Sequence, residues 1–141
     1  MNTRLAVATH ILTFLQSQDG KPAPSELIAA SVNTNAALIR RLLTQLAKAG
    51  LTTSQMGTGG GALLAKPGDR ITLLDVHRAI DENGSVFAIH PNPSPLCPVG
   101  RNMTTVLNHR LSEVQRAMEA ELGQVSIADI ATDVSSNNRT S

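Results

Sequence analysis

The chain has 141 residues, is 41% hydrophobic but only 1% aromatic, carries a formal net charge of +1 and holds a single cysteine. That length fits one domain with an accessory element, and a core that must be aliphatic favours interdigitating helices over a sandwich. One thiol excludes an intrachain disulfide and, within one chain, the cysteine set of an iron–sulfur cluster or a thiolate-rich zinc site, so no cofactor or metal is expected.

Thr3–Gln16 places Leu5, Ala8, Leu12 and Leu15 on one side at helical spacing. Residues 17–24 hold Asp19, Gly20, Pro22 and Pro24 and read as a loop. Ser25 is the expected N-cap of a short helix over Glu26–Ser31, with Leu27, Ile28 and Ala30 as core candidates. Residues 32–35 have polar turn chemistry, and Asn33, Thr34 or Asn35 is expected to cap the next helix. That helix runs over Ala36–Ala49, with a stripe of Ile39, Leu42, Leu43 and Leu46 and with Gly50 at its end. Leu51–Met56 and Ala62–Ala65 read as two strands around Gly57-Thr58-Gly59-Gly60-Gly61. Thr72 is the expected cap of a helix over Leu73–Asp81.

Residues 82–99 carry Pro91, Pro93, Pro95 and Pro98, a spacing that no helix survives, and form an irregular connection with effector or sensor potential. A long helix over Gly100–Leu122 follows. Met103, Leu107, Leu111, Val114, Met118 and Leu122 form a narrow heptad-like seam on it, suited to pairing with another helix. Ser126–Val134 makes a last short helix, and residues 135–141 read as a disordered tail. The expected organisation is therefore mainly α with a small β-hairpin: a winged helix-turn-helix domain over 1–81, the loop over 82–99, and a dimerisation unit over 100–134.

Charge is divided unevenly. Residues 1–66 carry six bases and two acids (+4), and residues 67–141 carry six bases and nine acids (−3). No acid lies between Glu26 and Asp69, an interval that holds Arg40, Arg41, Lys48 and Lys66. A helix pair followed by a hairpin free of carboxylates suits double-stranded DNA. The second helix of such a pair enters the major groove by its N-terminal end, which here offers Asn33, Thr34, Asn35 and Ala37, then Arg40 and Arg41 one turn later. Arg40 and Arg41 cannot both share the apolar stripe, so at least one projects outward, where it can grip guanine or phosphate. The alternative is that both are solvated or bound in ion pairs within the chain. Four glycines in five residues exceed what one turn needs and suggest backbone lying close against another surface. The run satisfies G-x-G-x-x-A, but no long helix follows, and the Gly-Lys-Ser/Thr of a phosphate loop is absent.

Leu46-Ala47-Lys48-Ala49-Gly50-Leu51, then Gly57-Thr58-Gly59-Gly60-Gly61, then Ile71-Thr72-Leu73-Leu74-Asp75-Val76 resemble the Rrf-two family of bacterial winged-helix transcription regulators, the family of NsrR and IscR. Cys97-Pro98-Val99-Gly100-Arg101-Asn102 before a long helix is similar to its single-cysteine members. The resemblance covers about residues 1–134. It implies a homodimer in which each subunit gives a winged helix to one half-site and the long helices cross. By position, Asn35, Ala37, Arg40 and Arg41 fall on the recognition helix, and the Gly57–Gly61 tip lies along the minor groove. Ser25, Asn33, Thr34, Thr58, Gly59 and Gly60 complete the candidate DNA contacts. Members that sense through an iron–sulfur cluster carry three cysteines before the dimer helix, and this chain has Cys97 alone, so cluster binding is rejected. Many members also place a basic residue before the wing glycines, where this chain has Met56.

Cys97 precedes a helix N-terminus and Arg101, a setting that favours the thiolate and makes it a candidate redox sensor. The competing reading is a small apolar residue filling a gap near the dimer seam. His10, His77, His90 and His109 are scattered over different elements and are read as packed or surface residues. Residues 1–20 lack the pattern of a signal peptide and no apolar run is long enough to span a bilayer, so a cytoplasmic protein without membrane contact is expected. The chain reads as a sequence-specific homodimeric regulator, a repressor on a palindromic operator, and not as an enzyme. The alternative is a winged-helix interaction module without DNA binding.

Overall fold

The computed structural model describes residues 3–81 and 86–140. Among them the chain forms α1 (Arg4–Ser17), α2 (Ser25–Val32), α3 (Ala36–Lys48), β1 (Thr52–Gln55), β2 (Gly61–Leu64), α4 (Leu73–Ile80), α5 (Pro98–Leu122) and α6 (Ile127–Thr140), with a 3-10 turn at Gly68–Arg70. The class is mainly α with one antiparallel hairpin, as expected.

One aliphatic cluster organises the body. Ala8, Ile11, Leu12 and Leu15 of α1 are buried together with Ile28, Ile39, Leu42, Leu46, Leu51, Ile71, Val76 and Ile127. Helix α1 is the hub, meeting α2, α3, α4 and α6. In α2 the inward pair is Ile28 and Ala29, whereas Leu27 and Ala30, expected in the core, are not part of it: Leu27 is exposed and Ala30 lies outside the buried cluster. The helix also begins one residue earlier than expected. Ser25 is its first residue and Pro24 is the N-cap, without any side-chain cap bond. The Pro24 carbonyl accepts from Leu27 and Ile28 N–H at 3.0 and 3.2 Å, which closes the first turn in place of the Ser25 hydroxyl. A residue before proline prefers extended backbone, and Ala23 uses that geometry to bridge to Ala62.

The hairpin pairs Thr52 with Leu64 through Gln55 with Gly61. Ala23 adds to its β2 edge, its N–H donating to Ala62 O at 3.0 Å and its carbonyl accepting from Ala62 N–H at 2.8 Å. This explains the glycine run from within the chain. A Cβ on Gly60 would overlap the Gln55 carbonyl oxygen, and one on Gly61 would overlap the Ala23 carbonyl group. Gly57 and Gly59 turn the tip at positive φ. The surface that needs these glycines is therefore the protein's own backbone, and their number carries no separate signal for an external one.

Helices α4 and α6 start side by side. Thr72 and Ser126 form an isolated bridge, with Leu73 N–H donating to Val125 O at 2.9 Å and Ile127 N–H to Ile71 O at 2.8 Å. Each begins with a capping box. Thr72 N–H donates to the Asp75 carboxylate and Asp75 N–H to the Thr72 hydroxyl. Ser126 and Asp129 repeat that exchange at 3.0 Å in both directions. Helix α6 then runs to Thr140, so residues 135–140 are helical, which corrects the expected disordered tail. Its first turns pack on α1, and the helix continues past Val134 through residues 132–139, which are all exposed.

Of the Pro-rich connection, residues 82–85 lie outside the described part, and 86–97 form neither helix nor strand. Helix α5 begins at Pro98, earlier than Gly100, because proline at the first helical position sacrifices no hydrogen bond. It meets the body mainly at α4. Replacing Gly61 by alanine is expected to cost about 1–3 kcal/mol, since the added methyl meets rigid backbone rather than a movable side chain. Denaturant melting measures it, and an unchanged midpoint would contradict the close approach at Ala23.

Candidate nucleic-acid interface

Helix α3 is strongly two-sided. Ile39, Leu42 and Leu46 are buried, while Arg40 and Arg41 of the opposite side are exposed. Of the three residues expected to cap it, Asn35 does so, its Oδ1 accepting from Leu38 N–H at 2.8 Å. The cap leaves the Asn35 amide nitrogen available as a donor beside the helix N-terminus. Asn33 instead terminates α2 in the left-handed region at φ 65°, and Thr34 N–H donates back to Ala29 O at 3.0 Å. These two residues shape the turn that presents α3.

A groove of about 670 Å³ separates α3 from the hairpin, and Ser25, Arg40, Thr44, Ser54, Met56 and Gly61 line it. Both arginines project outward, in different directions. Arg40 lines this groove, whereas Arg41 lines a second hollow with Arg4, Leu38 and Gln45 where α3 passes α1. Arg4 hydrogen-bonds the Gln45 side chain there. The ion-pair alternative holds for Arg40. Its guanidinium lies 3.1 Å from the Glu26 carboxylate, with both side chains largely exposed. The backbone N–H of Glu26 and then the Arg40 guanidinium hold that carboxyl below its ordinary range.

Sequence reasoning missed Glu26 and Arg4 as members of this face, because no helical spacing links residues 26 and 40 or 4 and 45. Thr44 was legible as a point one turn beyond Arg40 and Arg41. Thr58, Gly59 and Gly60 sit at the hairpin tip with Met56, which is 87% exposed. The structure thus brings Ser25 and Arg40 to one groove and places the tip at the far end of the hairpin.

Cys97 is exposed and forms the N-cap of α5. Backbone N–H groups of Gly100 and then Val99 pull its thiol below the ordinary cysteine value. Arg101, expected to assist, is not a cause of that shift. The seam residues lie along α5 without one of them buried: Met103 and Val114 are exposed, and Leu107, Leu111, Met118 and Leu122 are half-buried. Val99 and Val106, which the seam omitted, widen the apolar face.

The family model of Rrf2, described as an iron-dependent transcriptional regulator, matches residues 1–133. The described residues hold no group of three or more His, Cys, Asp or Glu side chains able to hold a metal ion, so the donors for such a centre within one chain do not fit. YwnA of Bacillus subtilis (strain 168) is 46% identical over 130 residues, covering 92% of this chain and 96% of that protein. The HTH-type transcriptional regulator IscR of Xenorhabdus nematophila is 33% identical over 128 residues, covering 90% of this chain and 74% of IscR. The solved structure of IscR from T. potens superposes with a TM-score of 0.72 at 21% identity, covering 95% of this chain and 87% of that one, a likeness of fold. With a winged helix presenting α3 beside a glycine-tipped hairpin, and with this match spanning nearly its whole length, the chain belongs to the Rrf2 (Rrf-two) family of DNA-binding transcriptional regulators.

Proposed function

We propose that the protein acts as a homodimeric repressor. Two copies pair through α5, and each lays the N-terminal end of α3 into the major groove of one half of a palindromic operator, with the hairpin tip over the flanking minor groove. The observation that carries this reading is α5 itself. It spans 25 residues with none buried, yet carries Met103, Leu107, Leu111, Val114, Met118 and Leu122 in a heptad-like row. An apolar stripe of that length in water calls for a partner, and a second α5 offers matching geometry. Two-fold pairing makes an operator symmetric, because each half-site meets the same reading head. Occupancy of such an operator is enough to block a promoter.

Within this reading, Asn35, Ala37 and Arg41 join Arg40 as base or phosphate contacts, and Ser25, Asn33 and Thr34 border the same face. Thr58, Gly59 and Gly60 meet the sugar-phosphate edge. Cys97 supplies a response to oxidants or electrophiles, since it stands exposed where α5 leaves the irregular connection and its thiol is already pulled down.

Duplexes selected from a random pool are expected to share two-fold symmetric half-sites about 10 base pairs apart. Arg41→Ala should weaken binding to them and reduce the slope of log affinity against log salt by about 0.9 for each phosphate that the variant no longer neutralises. A flat salt response, or full function of the Arg41 variant, would favour the interaction-module alternative. Leu111→Glu should yield a monomer in sedimentation, keep its helical circular dichroism and lose operator binding; a variant that stays dimeric argues against α5 as the pairing surface. Because the Gly100 and Val99 N–H groups pull the Cys97 thiol below the ordinary value, its alkylation rate should rise with pH at a lower midpoint than that of a free cysteine measured alongside it. Cys97→Ser should keep operator binding and lose its oxidant response, and an identical response in the variant would remove Cys97 as the sensor.

A further inference from the structure

The acid-free stretch of this chain is bounded by Glu26, and the fold brings that carboxylate back onto the reading face. Glu26 lies in the first turn of α2, next to Ser25, which lines the α3–hairpin groove together with Arg40. Its carboxylate oxygen meets the Arg40 guanidinium at 3.1 Å, with 57% and 71% of the two side chains exposed for Arg40 and Glu26. An ion pair this exposed contributes little to folding. It does offset a cationic charge on the face that would meet DNA.

We propose that Glu26 is a specificity-determining residue of the DNA-binding face: it occupies Arg40 until a correctly placed base edge displaces the carboxylate, and so weakens binding to random sequence. The inference rests on the reading that α3 meets DNA. The physical argument is one of exchange. On random DNA, Arg40 gains at most a phosphate contact, and must give up a carboxylate contact of similar kind to obtain it. The released Glu26 then faces the duplex as a like charge. At an operator where guanine stands opposite, a bidentate contact to its O6 and N7 exceeds what this single, largely exposed carboxylate contact is worth in water, and the exchange becomes favourable. Glu26 therefore subtracts from the sequence-independent electrostatic part of binding more than from the specific part. Its favourable position at the N-terminus of α2 is a separate, structural role; a glutamine keeps a side-chain oxygen able to accept there but loses the charge, a modest loss of stability that thermal melting reads.

The test uses the full chain, a random-sequence duplex and an operator duplex obtained by selection, each titrated over a range of salt concentrations. Glu26→Gln is expected to bind the random duplex several-fold more tightly at low salt. Its salt slope on that duplex should steepen by about 0.9 for each Arg40 released. Affinity for the operator should change less, so the ratio of specific to random binding falls. In an Arg40→Ala background the same Glu26→Gln change should have a clearly smaller effect, because it then removes only the repulsion between the carboxylate and the duplex and frees no arginine. Unchanged random binding by Glu26→Gln overturns the proposal, and so does an equal effect with and without Arg40, which would reduce Glu26 to one more surface charge. Thermal melting of each variant separates these outcomes from misfolding. If the unaltered protein shows no salt-dependent duplex binding at all, the underlying DNA reading fails first, before any variant is compared.

Discussion

Ala8, Ile11, Leu12 and Leu15 of α1 are buried in the cluster that also takes in the inner faces of α2, α3 and α4, and the first residue of α6. Without large aromatic rings, this burial has to come from many aliphatic contacts, each fully buried leucine or isoleucine contributing about 1.5–3 kcal/mol. Such a core is sensitive to shape, because its free energy resides in close packing rather than in a few large side chains. The orientation of α3 follows from it. With Ile39, Leu42 and Leu46 committed to the core, the opposite side of α3, with Ala37, Arg40 and Thr44, has to face outward.

The hairpin is held to this body by a backbone exchange between Ala23 and Ala62. That contact does two things. It fixes the β2 end of the wing against the segment leading into α2, and it brings Pro24 to the position where its carbonyl starts the helix. The wing and the helix pair are therefore one unit, and the groove between α3 and the hairpin has a defined width. Gly60 and Gly61 make the close approach possible, since any side chain there would strike the backbone of Gln55 or Ala23.

The second half of the molecule uses the same local device twice. The Thr72–Asp75 and Ser126–Asp129 boxes sit beside each other and are joined by the bridge between Thr72 and Ser126. This clasp returns the chain to the body after α5, so α6 packs on α1 while α5 leans mainly on α4. The long helix is thereby displayed rather than absorbed. A charged contact of 4.0 Å between Arg78 and Glu119, near the C-terminal part of α5, accompanies this attachment.

Local features were legible in the residues themselves. The helices, the hairpin and the Asn35 and Thr72 caps depend on periodicity and on neighbours three or four positions apart, as does the α5 seam, so a linear reading reaches them. The ordered motifs of 46–51, 57–61 and 71–76 pointed to the family by the same token. Where the reading failed, the cause was distant in the chain. Ser25 does not cap α2 because Ala62 holds Ala23 extended and Pro24 takes the N-cap position. The glycine excess belongs to Gln55 and Ala23 rather than to a ligand. The pairing of Glu26 with Arg40 arises because α2 and α3 cross at an angle fixed by the common core, and no spacing in the sequence encodes that angle. Sequence alone determined which elements form and which family they compose; tertiary packing decided which charges meet on the surface, because distances between separate helices are set by the core that joins them.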